Sequence, residues 1–564
     1  MRARNLTLVA SASLRQLTAS PAGFLLLVTR RFTPARTLFT RVLSHKPAPA
    51  AQALAAFLAD DPEQARTLLR EHPPLSHDRM AGELAIALDE PRLAPGPIAA
   101  SNELRARKLW NEGAVSDALD ELSPRHPYAR TLRGERDILL PGRRLVPPPS
   151  KPHTAKPGRV VHFLTNSRPH TSSGYARRSH AILRAQQDAG LEPLAVTRLG
   201  YPVMVGSLTA SGRDVVDDIE YRRLIPWRLE ASMPARLARQ ARALANIANE
   251  HGASVLHTTT HHQNALSVEA AAASLGIPWV YEVRGMLEKT WAAAKRTPEA
   301  RAAAASSERY RLASAREIEL ACRADHVVTL SATMRAELVA RGVPEERITV
   351  IPNSVDASLL REPEVCPPSA RTRLGLPRKG LWVGAVSSLV DYEGFDVLLE
   401  AVAQLRASGH DVRALIGGHG AAAVPLERRA AELGLTDAGA AHFPGKLTHA
   451  DAIQYLHALD VVTVPRLDLP VTRSVTPLKP VEAMALGRSV VLSDIPALAE
   501  LARDEHGAQL ATLAAPGNPA SLAAAIIRAA QPNDARCTAA YAFAAERTWQ
   551  RAGERYAELY ARLA

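Results

Sequence analysis

Between Arg159 and Ser493 the sequence twice runs through an alternation of short apolar segments and longer helical patterns, and this alternation restricts the fold more than any other feature. Arg159-Val-Val-His-Phe-Leu-Thr165 predicts a buried strand, residues 166–174 a polar turn, 175–190 a helix and Leu194-Ala-Val-Thr197 a second strand. Apolar runs at 253–258, 279–283, 324–331 and 348–356 continue this first series. A second begins at Leu381-Trp-Val-Gly-Ala-Val386 and takes in a helix at 394–408, a strand at 412–417, a helix at 425–434 and strands at 461–465 and 489–493. Helices at 519–530 and 534–563 close the chain. The predicted fold class is α/β, with two Rossmann-like doubly wound domains at 159–365 and 366–564.

Ahead of them lies a region of different character. Residues 1–143 read as a small all-helical region of short Ala/Leu/Arg helices, with examples at 51–58, 62–69 and 101–112, broken by Pro-rich joints. Residues 144–158, rich in Pro and Lys, read as a linker. No Asp or Glu occurs before Asp60, while arginines interleave with Phe24, Leu25, Leu27, Phe32, Leu38, Phe39, Val42 and Leu43. This predicts either a basic amphipathic start lying on an anionic membrane surface through residues 1–59, or a basic helix packed on its own protein.

The net charge of +12 points to an anionic partner. Nucleic acid is disfavoured, because the charge gathers at the front and only 4% of residues are aromatic, with no stacking motif. Cys322, Cys366 and Cys537 show neither pairing nor metal-ligand spacing, which fits a reduced, cytoplasmic setting. No apolar run of about 18 residues exists, and Phe24-Leu-Leu-Leu-Val28 is too short for a signal-peptide core, so neither a spanning helix nor export is expected.

Chemistry concentrates in Val475-Thr-Pro-Leu-Lys-Pro-Val-Glu-Ala-Met-Ala-Leu-Gly487. Pro477 and Pro480 hold off a helix until Glu482, and Gly487 ends it. A loop opening a helix offers an anion site, here from the amides of Val475 and Thr476, with Lys479 able to meet a phosphate and Glu482 a ribose diol. Glu282, Arg284 and Glu288 cluster at the end of the strand at 279–283, the kind of charge cluster that marks a site. His257, His261 and His262 lack carboxylate or thiol companions at ligand spacing, so no metal site is expected. Gly174 closes the turn after the first strand, where doubly wound folds take ligands.

The motifs together resemble the GT-B family of retaining nucleotide-sugar glycosyltransferases that includes many bacterial mannosyl- and N-acetylglucosaminyltransferases. Tyr392-Glu-Gly-Phe-Asp-Val-Leu-Leu-Glu-Ala401, the Gly-His-Gly turn at Gly418, Phe443-Pro-Gly445, Asp460-Val-Val-Thr-Val-Pro465 and Glu482-Ala-Met-Ala-Leu-Gly487 resemble its donor domain. Ala324-Asp-His-Val-Val, Ile351-Pro-Asn-Ser-Val-Asp356 and Ser173-Gly-Tyr-Ala-Arg-Arg resemble its acceptor side. Four positions depart from the pattern. Ser388 and Glu393 stand where the family places an Arg and a Lys on the diphosphate, Ser474 where it has the upstream glutamate, and Arg284 where it has a His. Arg466, Arg473 and Lys479 are the replacement cations available, with Arg466 and Lys479 the best placed.

The resemblance implies sugar transfer from a UDP- or GDP-linked donor to a polysaccharide, glycolipid or lipid-linked acceptor in cell-envelope synthesis, with no cofactor or metal. Arg284, Glu282 and Lys479 are then the candidate catalytic residues. Glu482, Arg466, Lys479, Ser474, Val475, Thr476, Gly418 and Ser388 would bind the donor nucleotide, and Gly174, Tyr175, His257 and Glu288 would lie on the acceptor side. The alternatives are a GT-B scaffold subunit that has lost its chemistry, docking through the helical front, and a sugar epimerase on the same fold.

Overall fold

A computed structural model of the chain describes residues 2–19, 24–25, 29, 33–149, 151–360 and 365–564. The arginines and apolar residues expected to form the membrane-facing segment at 26–28 and 30–32 lie outside the described residues.

Two parallel sheets carry the fold. The first has eight strands in the order β3-β4-β2-β1-β5-β6-β7-β8, running from β1 (Arg159–Leu164) and β2 (Glu192–Thr197) through β3 (Arg213–Val216), β4 (Ile219–Arg223), β5 (Val255–Thr259), β6 (Trp279–Val283) and β7 (His326–Thr329) to β8 (Ile348–Val350). All neighbours are parallel except β3 and β4, a hairpin absent from the sequence expectation. Its turn residues Asp217 and Asp218 have φ of 49° and 63°, the left-handed pair that a two-residue hairpin needs. The second sheet has the order β11-β10-β9-β12-β13-β14, with β9 (Leu381–Ser388), β10 (Val412–His419), β11 (Ala441–His442), β12 (Val461–Val464), β13 (Ser489–Ser493) and β14 (Thr512–Ala514). The central strands are buried along nearly their whole length, as strands covered on both faces must be, which is why they read as unbroken apolar runs. The expected α/β class with two doubly wound domains and a helical front is what the chain forms.

In each sheet the strand order reverses at the first strand, β1 or β9, and ligands of such sheets bind beyond the carboxyl ends of the strands there. The loops from these two ends meet. A Cβ at Gly285, after β6, would lie 3.4 Å from the Tyr175 hydroxyl and 3.7 Å from Val475 Cγ2, and Asn353 Nδ2 donates to the Thr476 carbonyl at 2.9 Å.

One helix was expected at 534–563; two form, Asp534–Ala545 and Trp549–Leu563. Between them Val355 bonds both Arg547 O (2.8 Å) and the Trp549 amide (3.0 Å), and Thr548 caps the new helix, so the chain crosses back to the first sheet. There Ala552, Tyr556, Leu559 and Tyr560 pack on Val160, Ile182, Val255, Val280, Val328 and Ile351. Gly553 lets this helix press onto helix Gly174–Asp188, since a Cβ would collide with the Ala185 carbonyl. The helical front also rests on the first domain: Lys295 Nζ reaches Asp89 at 2.8 Å and Arg316 Nε donates to the Ile138 carbonyl at 3.1 Å.

Candidate active site

On the second domain's lip, helix Lys479–Ala485 begins three residues earlier than expected. Pro480 lies in its first turn, where a missing N–H leaves no bond unmade, so the proline starts the helix rather than delaying it. Lys479 Nζ reaches Glu393 Oε2 at 3.0 Å and the Ser387 hydroxyl. Arg466, just past β12, donates to the other Glu393 oxygen at 2.7 Å and to the Val475 carbonyl at 2.8 Å. Burial raises the Glu393 carboxyl, but Arg466 and Lys479 outweigh it and hold the group down at about 2. Both candidate diphosphate cations therefore share one carboxylate, on a residue read in the sequence only as a departure from the family.

Glu482 follows one turn on. Burial raises its carboxyl against the pull of Arg177 and Lys479. Arg177, on the opposite domain, reaches His449 Nδ1 at 2.9 Å and so spans the cleft above it. Ser388 ends β9 at the surface and its carbonyl accepts from Ser387 at 2.9 Å. Gly418 (φ 132°) lies where a Cβ would collide with the Ser387 carbonyl, so it is required for the approach of β10 to β9.

Two donor-side expectations are corrected. Ser474 is 2% exposed and bonded to Glu337 and Lys289 of the first domain (2.5 and 2.7 Å), so it ties the domains together and does not face the nucleotide. The Val475 amide donates to Val471 O at 3.2 Å and is not left for a phosphate. Thr476 is not corrected in this way: only its carbonyl is held, by Asn353, and its buried hydroxyl has no partner among the described residues.

On the first domain, Glu282 is fully buried and accepts from Arg178 (2.9 Å), Arg284 (2.7 Å) and His257 (3.2 Å). Burial raises its carboxyl, and the flanking Arg284 and Arg178 more than reverse this, holding it well below the ordinary carboxylate range. Arg284 is 2% exposed and also donates to Ser179 Oγ at 2.7 Å. His257 stacks on His162 at 4.4 Å and bonds the Tyr560 hydroxyl at 2.6 Å. The expectation that Glu282, Arg284 and His257 touch sugar or acceptor is thus corrected: His257 in the middle of β5, Glu282 near the end of β6 and Arg284 just past it point into the domain, where burial of charge demands that they pair with one another. Their effect on the cleft is indirect. Arg178 also holds the Ile351 and Pro352 carbonyls and Asn353 Oδ1, and Asn353 holds the Thr476 loop.

Gly174 and Tyr175 lie at the rim of the first domain, with the Tyr175 hydroxyl beside Gly285. Ser173 caps helix Gly174–Asp188, a Cβ on Gly174 would meet no atom within 4 Å, and Tyr175 is 57% exposed. Glu288 lies elsewhere, at the junction with the helical front, paired with Arg341 at 3.2 Å. Among the described residues no group of three His, Cys, Asp or Glu side chains is arranged to hold a metal.

Two doubly wound domains meeting at their strand ends are the arrangement of the GT-B fold. Residues 173–354 match the family described as Glycosyl transferase 4-like domain and residues 378–531 that described as Glycosyl transferases group 1. Over these two stretches the chain is similar to group 1 glycosyltransferases. It is 29% identical over 208 residues to a 2-deoxystreptamine glucosyltransferase of Streptomyces kanamyceticus, covering 36% of this chain and 51% of that protein. With a D-inositol 3-phosphate glycosyltransferase of Stackebrandtia nassauensis it shares 30% over 209 residues, 34% of this chain and 44% of that one. The chain thus spans about half the length of the curated relatives it matches. The Anabaena HepE structure in complex with UDP superposes with a TM-score of 0.55 at 21% identity, covering 72% of this chain and 100% of that one, a likeness of fold.

Proposed function

We propose that the protein is a retaining glycosyltransferase that moves a sugar from a UDP- or GDP-linked donor to a glycan, glycolipid or lipid-linked acceptor in cell-envelope synthesis. The observation that carries this reading is the Lys479–Glu393–Arg466 cluster beside Glu482, at the strand ends of a domain matching group 1 glycosyltransferases. Transfer breaks the bond between the anomeric carbon and the diphosphate oxygen, which leaves with the electron pair. The main demand on the protein is to stabilise that charge, and fixed cations supply this without a metal. Lys479 and Arg466 hold the diphosphate, and Glu482 accepts from the ribose diol. The acceptor hydroxyl attacks from the face the diphosphate leaves, giving its proton to a departing phosphate oxygen. Arg284 and Glu282 act as positioning residues through Arg178 and Asn353.

The names of the relatives support sugar transfer, and HepE was solved with UDP. The setting we infer is cytoplasmic, peripheral at the inner membrane face through residues 1–59, with no nucleic-acid partner. Among the described residues no helix is long and apolar enough to cross a membrane. Leu6, Leu14 and Leu17 are 57%, 65% and 43% exposed on helix Arg2–Ala19, whose Leu8 and Asn5 turn inward.

A second reading, a scaffold subunit without chemistry, draws on Glu393, which offsets the cations that a diphosphate needs. Calorimetric titration with UDP, GDP and ADP without added metal separates the two. Binding selective for one nucleotide and lost in Lys479→Ala supports the transferase; no binding of any of the three leaves the scaffold.

A further inference from the structure

Between the helical front and the first domain lies a cavity of about 840 Å³, within the range of ligand sites. The front contributes Trp110, Tyr128 and Glu135; the first domain contributes Glu288, Trp291 and Tyr310. Two carboxylates here have acceptor capacity unspent. Glu135 makes no hydrogen bond or ion pair among the described residues, and Arg236, His262 and Arg309 only partly offset the burial that raises its carboxyl. Glu288 is 3% exposed, and while one of its oxygens takes Arg341 at 3.2 Å, the other, Oε2, is buried with no side-chain or backbone partner within hydrogen-bond geometry among the described residues. A buried carboxylate oxygen without a donor is costly, and a ligand bringing hydroxyl groups would relieve it. Burial raises both carboxyls, as expected of groups kept from water.

The chamber is also wired to the cleft. Arg341 lies 3.2 Å from Glu288 and 3.6 Å from Glu337, and Glu337 bonds both Lys289 of helix Leu287–Ala293 and Ser474 on the donor side. Helix Leu287–Ala293 thus presents Glu288 and Trp291 to the chamber and Lys289 to the donor loop.

We propose that this chamber is a carbohydrate site that takes sugar rings of the acceptor. Aromatic side chains and unspent carboxylate oxygens on opposing walls suit a pyranose, with its apolar C–H face and its rim of hydroxyl donors, although Arg107 lies over the Tyr128 ring at 5.1 Å and Arg309 over the Trp291 ring at 4.8 Å. The helical front is then half of the acceptor site, and the Glu288–Arg341–Glu337 series reports its occupancy to the donor loop. The assignment rests on the transferase reading for what the sugar is, but not for whether one binds.

The test is binding of the full chain to an array of immobilised oligosaccharides, with Glu135→Gln and Trp110→Ala variants of unchanged melting temperature. Binding to a defined set of glycans that falls by about tenfold in Glu135→Gln supports the site. No binding to any glycan, or binding kept in both variants, overturns it. Glycan binding without UDP, GDP or ADP binding would instead sink the transferase reading and leave the chamber standing.

Discussion

Glu393 Oε2 lies 3.0 Å from Lys479 Nζ while its Oε1 lies 2.7 Å from Arg466 Nη2, so one buried carboxylate occupies both cations of the donor lip. A diphosphate entering there competes with an anion already in place. Replacing Glu393 by Gln removes that competitor and keeps the shape. Glu393→Gln is expected to bind its nucleotide about tenfold more tightly by calorimetry, roughly the effect of 1.4 kcal/mol. Equal affinity in the two proteins would show that the diphosphate does not rest on these cations.

The same carboxylate sets an acid limit on stability. Its folded value, about 2, lies below its ordinary 4.5, so its contribution is present above about pH 4.5 and is lost as pH falls toward 2. The size is on the order of 3 kcal/mol. Urea unfolding at a series of pH values should show the wild type more stable than Glu393→Gln above pH 4.5, with the gap closing in acid. A gap independent of pH would assign the difference to something other than this charge.

Glu482 is the counter-test on the ribose side. Glu482→Ala should lower nucleotide affinity by about tenfold, the loss of a charged hydrogen-bond acceptor, with little change in melting temperature, because its carboxylate forms no ion pair among the described residues. Unchanged affinity would discard the site assignment.

How much of this was legible in the sequence follows from which interactions are local. Strands such as Val461-Val-Thr-Val464 are buried on both faces and announce themselves as apolar runs, and Gly487 ends its helix as its φ of 68° requires. What escaped was the pairing of residues distant in the chain. Glu393 meets Arg466 and Lys479 only because β9 and β12 are neighbours, and Lys289, Glu337 and Ser474 meet only where the domains touch. Charge at a strand end marked Glu282 and Arg284, but not the direction they face. Arg178 and Asn353 belonged to quoted motifs, yet nothing local signals that they bond each other at 3.1 Å.

The return of the last helix to the first domain is testable at Gly553. A side chain there drives a Cβ into the Ala185 carbonyl, a backbone atom that cannot step aside. Gly553→Val should destabilise the protein by about 3 kcal/mol or more in urea unfolding. It should also loosen the network through which Tyr560 bonds His257 and Gln186. A neutral result would mean that this helix does not press on helix Gly174–Asp188.

The N-terminal helix separates membrane contact from packing. Asn5 Nδ2 donates to the Leu208 and Ala210 carbonyls at 2.9 Å and Leu8 is fully buried, so one face is committed to the first domain. Leu6, Leu14 and Leu17 project outward, and on helix Thr33–Ser44 the exposed Leu38 and Val42 flank Arg41. Apolar residues beside arginines, with no acidic residue before Asp60, suit the surface of an anionic bilayer. The full chain should float with vesicles containing phosphatidylglycerol and stay behind with phosphatidylcholine alone. Raising the salt should release it, because the attraction is screened within about 10 Å at 0.1 M. Changing Leu6, Leu14 and Leu17 together to Ser should cut flotation severalfold without touching the inward face. Flotation that ignores both lipid charge and these three leucines would show that residues 1–59 serve the protein's own packing.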